Sequence, residues 1–399
     1  MTYDPHQINT PVIALALCGY ATAQDFGVPL SWRKFSNTRP LNERISIAQA
    51  AINAILPQLN SATAEFNGIG FWQSGNVWSV LANQDRIAGS TINQARVIAN
   101  LNTAFRLNAN YDKFQVCTTL FKPWWATAAV YAHRAYGDSA MLSHAVDTWN
   151  HVSNFVITPA QASAGRHPAK SFTLSGTCDG KSMAGGVFWR PTADDQGVNS
   201  VTTGLYLTLS AFLAEITGDR KYTNAAIQSA NWMRSLNINS KNLVLDTVNA
   251  HDCSRSPDSW IFTYNSGKLI EGLGVLSHVT GDNQWDTLME NVLIASTKGA
   301  PWQGSNGVIT EGSSPNSNND GVGFKSVLIR GLHEAFERSS NNALRILVHS
   351  YVDVQYNALL DLAANGSTYS SRWAGPPQGF TTWGQLAALD VMTSAINTN

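Results

Sequence analysis

The chain repeats one local plan three times: an apolar helical segment, a Gly-Asp turn, and a second segment that opens on an aromatic or apolar residue. The turns are Gly137-Asp138, Gly218-Asp219 and Gly281-Asp282. Glycine adopts the left-handed conformation that ends a helix, and aspartate caps the next helix by accepting hydrogen bonds from its unpaired N–H groups. Each repeat therefore predicts a pair of antiparallel helices.

Weaker versions of this pattern predict helices over residues 45–59, 77–104, 324–338 and 343–363, and a final helix over residues 381–396. With the repeats, these segments make about a dozen helices, while strand-like alternation is nearly absent. One helical pair cannot bury its apolar face alone, so the pairs are expected to stack. Long, unequal loops over residues 155–195, 237–266 and 297–322 favour a closed ring over an open solenoid. The predicted fold is an all-α (α/α) barrel.

Composition narrows the possible partners. Hydrophobic residues make up 44% of the chain and charged residues only 13%, about half the usual share, so polar neutral residues must cover the surface. Such a surface suits a protein that handles neutral sugars. With 26 basic and 27 acidic residues, no net charge would attract nucleic acid or an anionic membrane. We expect neither partner, and we expect a monomer without a cofactor.

The first residues resemble an export signal. Residues 11–18 are apolar, and Ala21-Thr22-Ala23 has the small-residue spacing that signal peptidase reads, although no lysine or arginine precedes Arg33. We therefore expect a signal peptide over residues 1–23, a single domain over residues 24–399 and a secreted protein. Asn365 opens an Asn-Gly-Ser sequon, a candidate N-glycosylation site.

The cysteines allow one disulfide in the mature chain. Cys178 and Cys253 lie in polar loop sequences, and a bridge between them is plausible in an oxidising compartment, although two free thiols remain an alternative. Cys117 is expected to be a buried free thiol. No cysteine and histidine cluster has the spacing of metal ligands, so no metal site is predicted.

Four motifs in consistent order resemble glycoside hydrolase family 76, the endo-α-1,6-mannanase-like proteins. They are WWA from Trp124, GGVFW at residues 185–189, FTYNSG at residues 262–267 and FKSVLIR at residues 324–330. The resemblance covers most of residues 60–395. It implies an (α/α)6 barrel of helical hairpins and the hydrolysis of α-mannan-type polysaccharide.

The chain departs from the family at the catalytic position. The family carries two adjacent aspartates just before the Trp-Trp pair, where this chain has TTLFKP at residues 118–123. The adjacent acids that it offers are Asp194 and Asp195, before the second repeat. Glycoside hydrolysis needs two carboxyl groups, so these two are the catalytic candidates. The alternative is a helix cap, because Asp194 precedes the apparent helix entry over residues 196–203.

Aromatic residues at loops and helix starts are the candidates for sugar binding, because their flat faces pack against sugar rings. The substrate-binding candidates are Trp124, Trp125, Trp189, Trp260, Tyr264 and Trp302. Further acids near the same loops are Asp252, Asp258, Glu271 and Glu311. Glu271 lies on an apolar helix and must either point to solvent or line a cleft. Two other functions remain open: a carbohydrate-binding protein without catalysis, and a structural wall component.

Overall fold

The computed structural model describes residues 24–113, 121–313 and 319–398, and most of the chain in these ranges is helical. The helices are α1 Leu41–Ile55, α2 Phe71–Ala88, α3 Gln94–Leu107, α4 Phe121–Tyr136, α5 Ser139–Ser153, α6 Pro159–Ala164, α7 Ser200–Thr217, α8 Arg220–Leu236, α9 Thr263–Thr280, α10 Asn283–Ile294, α11 Gly321–Arg338, α12 Asn342–Ala358 and α13 Thr382–Ser394.

Six of the helices in the described ranges close an inner ring. In order around the ring, α2, α4, α7, α9, α11 and α13 each contact the next, and α13 returns to α2. The inner helices are buried on nearly every side, as in α7, where every residue from Ser200 to Ala214 is buried. An outer helix such as α8 buries only one face. This burial pattern is the expected consequence of two concentric layers, and the predicted (α/α) barrel is confirmed.

The Gly-Asp turns join inner helices to outer ones as the sequence predicts. Gly137, Gly218 and Gly281 all have positive φ, between 65° and 70°. Each following aspartate caps the next helix, and Asp138 accepts from the backbone N–H groups of Ala140 and Met141. These caps lie where the inner helices end. The long loops therefore lie at the opposite end of the barrel, where the inner helices begin.

The strands are short and lie in the connections. β1 Leu59–Asn60 pairs with β2 Glu65–Phe66, β3 Thr177–Cys178 with β4 Lys181–Ser182, β5 Gly197–Asn199 with β6 Thr247–Asn249, and β7 Ala364–Asn365 with β8 Thr368–Tyr369. All four pairs are antiparallel. The β5–β6 pair places the loop before α7 beside the loop before α9, and this pairing shapes the functional end of the barrel.

One helix prediction was wrong in its bounds. Residues 77–104 were expected to form one helix, but α2 ends at Ala88 and α3 begins at Gln94. Gly89 adopts a left-handed φ of 62°, and its N–H closes the last turn of α2. The break makes α2 an inner helix and α3 an outer one, because a continuous helix could not turn back along the barrel.

A charged network fills the middle of the barrel. Glu271 of α9 is fully buried, pairs with Lys268 at 2.6 Å and accepts a hydrogen bond from the Tyr131 hydroxyl at 3.0 Å. Tyr131 also lies 2.9 Å from Glu334, which pairs with Arg134. The expectation that Glu271 faces solvent or a cleft was wrong. Its carboxylate can be buried because a cation on the same helix compensates its charge.

Among the described residues, no helix combines the length and apolarity needed to cross a bilayer.

Candidate functional site

A cleft of about 630 Å³ opens at the end of the barrel where the inner helices begin. Its lining includes Trp72 near the start of α2, Trp124 on α4, Tyr264 on α9 and Phe324 on α11. Inner helices that begin at the same end bring residues distant in sequence to one place. The remaining wall comes from the loops that carry β5 and β6.

Seven of the eighteen described residues that line the cleft are aromatic. The lining aromatics are Trp72, Trp124, Trp189, Trp260, Phe262, Tyr264 and Phe324. Trp72 and Trp124 lie with their ring centroids 5.2 Å apart, and Tyr264 stacks on Phe324 at 3.9 Å. Trp260 keeps 49% of its surface exposed, whereas Trp124 is nearly buried and lies at the floor. The cleft therefore has a floor of packed aromatic rings, and Trp260 is the exposed aromatic side chain of its lining.

Asp246, directly before β6, is held by several donors inside the cleft. Its Oδ1 accepts from the Asn265 side chain at 3.0 Å, and its Oδ2 accepts from the Thr247 hydroxyl at 2.9 Å. The Tyr264 hydroxyl also bonds to Asp246, and burial together with this carboxylate raises the pKa of Tyr264 well above its usual value. The phenol therefore keeps its proton, and the carboxyl group has a fixed orientation.

Asp320 lies at the start of α11, on the part of the cleft formed by Trp72 and Phe324. Its Oδ1 accepts a hydrogen bond from the Gln73 side chain at 2.6 Å and a longer one from the Trp72 indole at 3.4 Å. The residue is exposed. Asp320 thus presents an anchored carboxyl group to solvent at the mouth of the cleft.

The structure separates the two adjacent aspartates. Asp195 lines the cleft, accepts from the Arg190 backbone N–H at 3.1 Å and lies 3.8 Å from the Lys170 ammonium. Burial raises the pKa of Asp195 despite these neighbours, and burial lowers the pKa of Lys170 to about 8. Asp194 is exposed and does not line the cleft. Adjacent side chains in this turn point to different surroundings, so the two acids do not form a facing pair.

The helix-cap alternative for Asp194 was wrong. The helix after this loop is α7, which begins at Ser200, and its N-cap is Asn199. The Asn199 side chain accepts from the Thr202 N–H at 3.2 Å. β5 occupies residues 197–199 and delays the helix beyond the expected entry at residue 196.

Four of the six predicted sugar-binding residues meet in the cleft: Trp124, Trp189, Trp260 and Tyr264. The expectation was wrong for Trp125 and Trp302, which both belong to the main core. The Trp125 indole donates to the Phe71 carbonyl at 2.9 Å, and its ring stacks on Phe71. The Trp302 indole donates to the Ser296 carbonyl at 3.2 Å. Although the sequence around Trp302 is polar, its side chain points inward and packs in the core.

A disulfide tethers one wall of the cleft. Cys178 in β3 is bonded to Cys253 across 75 residues. Cys253 lies between Asn249 and Ser254, which both line the cleft. The bridge thus ties the loop after β6 to the β3–β4 hairpin. Cys117 lies outside the described residues, as do residues 118–120 of the segment that departs from the family.

The other predicted features have separate places. Asn365 is exposed at the end of β7, directly before the turn into β8. Asp252 and Asp258 are exposed and do not line the cleft, and Glu311 contacts the first residue of α9. Within the described ranges, no group of three or more metal-binding side chains is placed to hold an ion.

The main site residues that sequence reasoning missed are Asp246, Asp320 and Phe262. Each belongs to a different loop or helix start, so no spacing in the sequence connects them. Phe262 opens the FTYNSG motif, and the position of that motif at the start of an inner helix was the available signal. Asp246 and Asp320 carry no local pattern that separates them from the other acids in the loops.

Comparison with known proteins identifies the family. The sequence model of Glycosyl hydrolase family 76 matches residues 169–399, more than half of the chain. A segment of 130 residues is 31% identical to mannan endo-1,6-alpha-mannosidase DCW1 of Saccharomyces cerevisiae. The corresponding identity to DCW1 of Candida glabrata is 26%. Each match covers 31% of this chain and 29% of the relative, so the similarity spans less than a third of these proteins.

Solved structures share the fold. An inactive variant of the alpha-1,6-mannanase GH76A of Salegentibacter sp., in complex with alpha-1,6-mannotriose, superposes with a TM-score of 0.75 at 16% identity. The superposition covers 89% of this chain and 100% of that one. Dfg5 from Chaetomium thermophilum, in complex with glucosamine, gives a TM-score of 0.68 at 16% identity over 91% of this chain and 92% of that one. With the family match, the ring of helical hairpins and the four ordered motifs agreeing, the chain belongs to glycosyl hydrolase family 76.

Proposed function

We propose that this protein acts on an α-1,6-linked mannan, which it holds in the aromatic cleft. The observation that carries the proposal is the cleft lining, in which the described residues combine seven aromatic side chains with the carboxyl groups of Asp195, Asp246 and Asp320. Aromatic faces pack against the apolar faces of sugar rings, and carboxylates accept hydrogen bonds from sugar hydroxyls. The mannan endo-1,6-alpha-mannosidase name of the DCW1 relatives and the mannotriose in the Salegentibacter complex support the choice of linkage.

Cleavage in this cleft requires a proton donor and a base. Asp195 suits the donor because burial raises its pKa, and Asp320 suits the base because Gln73 anchors its carboxyl group at the open mouth. In the proposed step Asp195 protonates the glycosidic oxygen. Asp320 takes a proton from a water molecule whose oxygen bonds to the anomeric carbon. The bond between the anomeric carbon and the glycosidic oxygen breaks in the same step.

A second function, saccharide binding without cleavage, is favoured by one observation. Leu120 and Phe121 stand where the family resemblance places its aspartate pair, and neither side chain can donate or accept a catalytic proton. The inactive Salegentibacter variant has two adjacent aspartates replaced by asparagine, and its structure contains mannotriose. Loss of the pair is therefore compatible with binding in this fold.

Incubation of the purified protein with a panel of α-linked oligomannosides, followed by mass analysis of the products, separates the two functions. Shortened α-1,6-linked products are expected if the carboxyl groups in the cleft are catalytic. Calorimetric binding of α-1,6-mannotriose with no product would leave the binding function, and the absence of both would reject an α-1,6-mannan ligand.

We also propose that the protein is secreted and works as a monomer. The predicted signal peptide over residues 1–23 and the Cys178–Cys253 bridge support an oxidising, extracytoplasmic location, because disulfides persist there. Recovery of the protein from the culture medium, with one peak of monomer mass in light scattering, is the expected result.

A further inference from the structure

The first turn of α9 is held by a residue from a distant loop. The Thr263 backbone N–H donates to Oε1 of Glu311 at 2.9 Å, and the Thr263 hydroxyl donates to Oε2 of the same carboxyl group. The first N–H groups of a helix have no partner within the helix, and the N-cap residue of α9 is Phe262, whose side chain cannot accept a hydrogen bond. Glu311 therefore supplies the cap from 48 residues away.

Both neighbours of Thr263 line the cleft. Phe262 packs edge-on against Phe324 with ring centroids 5.6 Å apart, and Tyr264 stacks on Phe324 at 3.9 Å. Tyr264 also reaches Asp246 through its hydroxyl. A shift of Thr263 would move these two aromatic side chains and disturb the contact with Asp246. The position of α9 thus sets one wall of the cleft.

The backbone of Glu311 is in turn fastened to α11. The Lys325 ammonium, fully buried, donates to the Glu311 carbonyl at 3.1 Å and to the Ser371 carbonyl, and lies 4.6 Å from the centre of the Trp373 ring. The next residue, Gly312, has a φ of 63°, and a Cβ there would come within 2.1 Å of the Gly321 carbonyl. The loop is therefore pressed against the start of α11 while its carboxyl group holds the start of α9.

We propose that Glu311 is a positioning residue that joins the starts of α9 and α11 and thereby sets the geometry of the saccharide cleft. Ligand affinity then depends on a carboxyl group that does not line the cleft. The inference rests on the proposed saccharide function only for its ligand, because the position of α9 can be measured without one.

The protonation state of Glu311 gives the arrangement a pH dependence with a definite sign. Burial raises the pKa of Glu311 to about 7, against the opposing effects of the Thr263 donors and Lys325. In the described part of the chain, the other titratable groups that interact with it are Tyr264 on α9 and Tyr351 on α12. The ionised carboxylate accepts from both Thr263 donors, so the cap weakens as the pH falls through about 7. Burial lowers the pKa of Lys325 to about 7, so this ammonium group loses its proton as the pH rises through that value.

The test compares Glu311→Gln with Asp219→Asn. Asp219 caps α8 at the other end of the barrel, so its replacement reports the effect of losing a remote cap. At pH 8, Glu311→Gln is expected to weaken α-1,6-mannotriose binding about tenfold, as loss of a charge-assisted hydrogen bond implies. Thr263→Val, which keeps the N–H donor, should weaken it less, and Thr263→Ser should bind as the unmodified protein does. The unmodified protein should lose more affinity between pH 8 and pH 6 than Glu311→Gln does, because only the unmodified protein also loses the ionised carboxylate of Glu311.

Amide hydrogen exchange of the first turn of α9 provides the readout that needs no ligand. Glu311→Gln should speed exchange of the amides at residues 263–266, whereas Asp219→Asn should leave them unchanged. Unchanged exchange in Glu311→Gln would overturn the positioning role, as would equal losses of affinity in the two variants. If the unmodified protein binds no mannotriose while exchange at α9 still responds to Glu311, the proposed function fails and the positioning role stands.

Discussion

The Asn265 side-chain amide donates a hydrogen bond to Oδ1 of Asp246 at 3.0 Å, which joins the first turn of α9 to the residue before β6. Both groups are buried, and the Asp246 carboxyl group also accepts from Thr247. Replacing a buried carboxylate that accepts several hydrogen bonds lowers the stability of the fold, because each donor then loses its acceptor. This contact connects the helical barrel to the loop wall of the cleft.

Replacement of Asp246 by asparagine should therefore affect stability and binding together. The new amide NH2 would face the donors of Asn265 or Thr247, and one unsatisfied buried donor costs about 1–3 kcal/mol. We expect a lower melting temperature and at least a tenfold loss of mannotriose affinity in calorimetry. Asp147→Asn, the same chemical change at an exposed position of α5, should alter neither. A variant of Asp246 with unchanged affinity would remove this residue from the site.

The adjacent acids Asp194 and Asp195 allow the same substitution to be compared at two neighbouring positions. If Asp195 donates the proton, Asp195→Asn should lower kcat by about 10²-fold or more while mannotriose still binds. Asp194→Asn should leave kcat unchanged, because this side chain is exposed and lies outside the cleft lining. A general acid works in its protonated form, and burial raises the pKa of Asp195. The rate should therefore fall as pH rises through that pKa. Equal losses in both variants would argue against this assignment.

Much of the barrel could be predicted from the sequence because its signals are local. A Gly-Asp turn such as Gly218-Asp219 ends one helix and caps the next through contacts within a few residues. The cleft was predictable only in part, since Trp124 and Tyr264 belong to recognisable motifs at the starts of inner helices. Asp246 and Asp320 acquire their roles from neighbours far away in sequence, such as Gln73 for Asp320, and no periodicity encodes such contacts.

Trp260 and Trp302 both lie in polar loop sequence, and the structure predicts opposite effects for them. Trp260→Ala should reduce affinity for longer oligomannosides by about tenfold with little change in melting temperature, because its ring is 49% exposed at the cleft. Trp302→Ala should destabilise the fold by about 3–5 kcal/mol, because this side chain is 4% exposed and packs in the core. Thermal melting and calorimetry on the two variants check the contrast. A stable Trp302→Ala protein with weakened binding would reverse the assignment.

Reduction of the Cys178–Cys253 bridge should loosen the cleft wall. The bridge closes a loop across 75 residues. A crosslink of this span lowers the entropy of the unfolded chain and thereby stabilises the folded state by about 4 kcal/mol. We expect the Cys178→Ser, Cys253→Ser double variant to melt at a lower temperature and to bind mannotriose more weakly. The loss should match that of the unmodified protein in a reductant. Unchanged affinity after reduction would show that the wall keeps its shape without the tether.

The buried pair of Lys268 and Glu271 supports the floor of the cleft from below. The ammonium of Lys268 lies 2.6 Å from Glu271 and 4.9 Å from the centre of the Trp124 ring. Glu271→Gln would leave a buried cation without its counter-ion, which costs about 3–5 kcal/mol. Changing Lys268→Met together with Glu271→Gln removes both charges, so denaturant unfolding should show the double variant to be more stable than Glu271→Gln alone. If Lys268 also holds the Trp124 ring in place, the double variant should recover stability but not mannotriose affinity. Recovery of both would limit the pair to a role in the core.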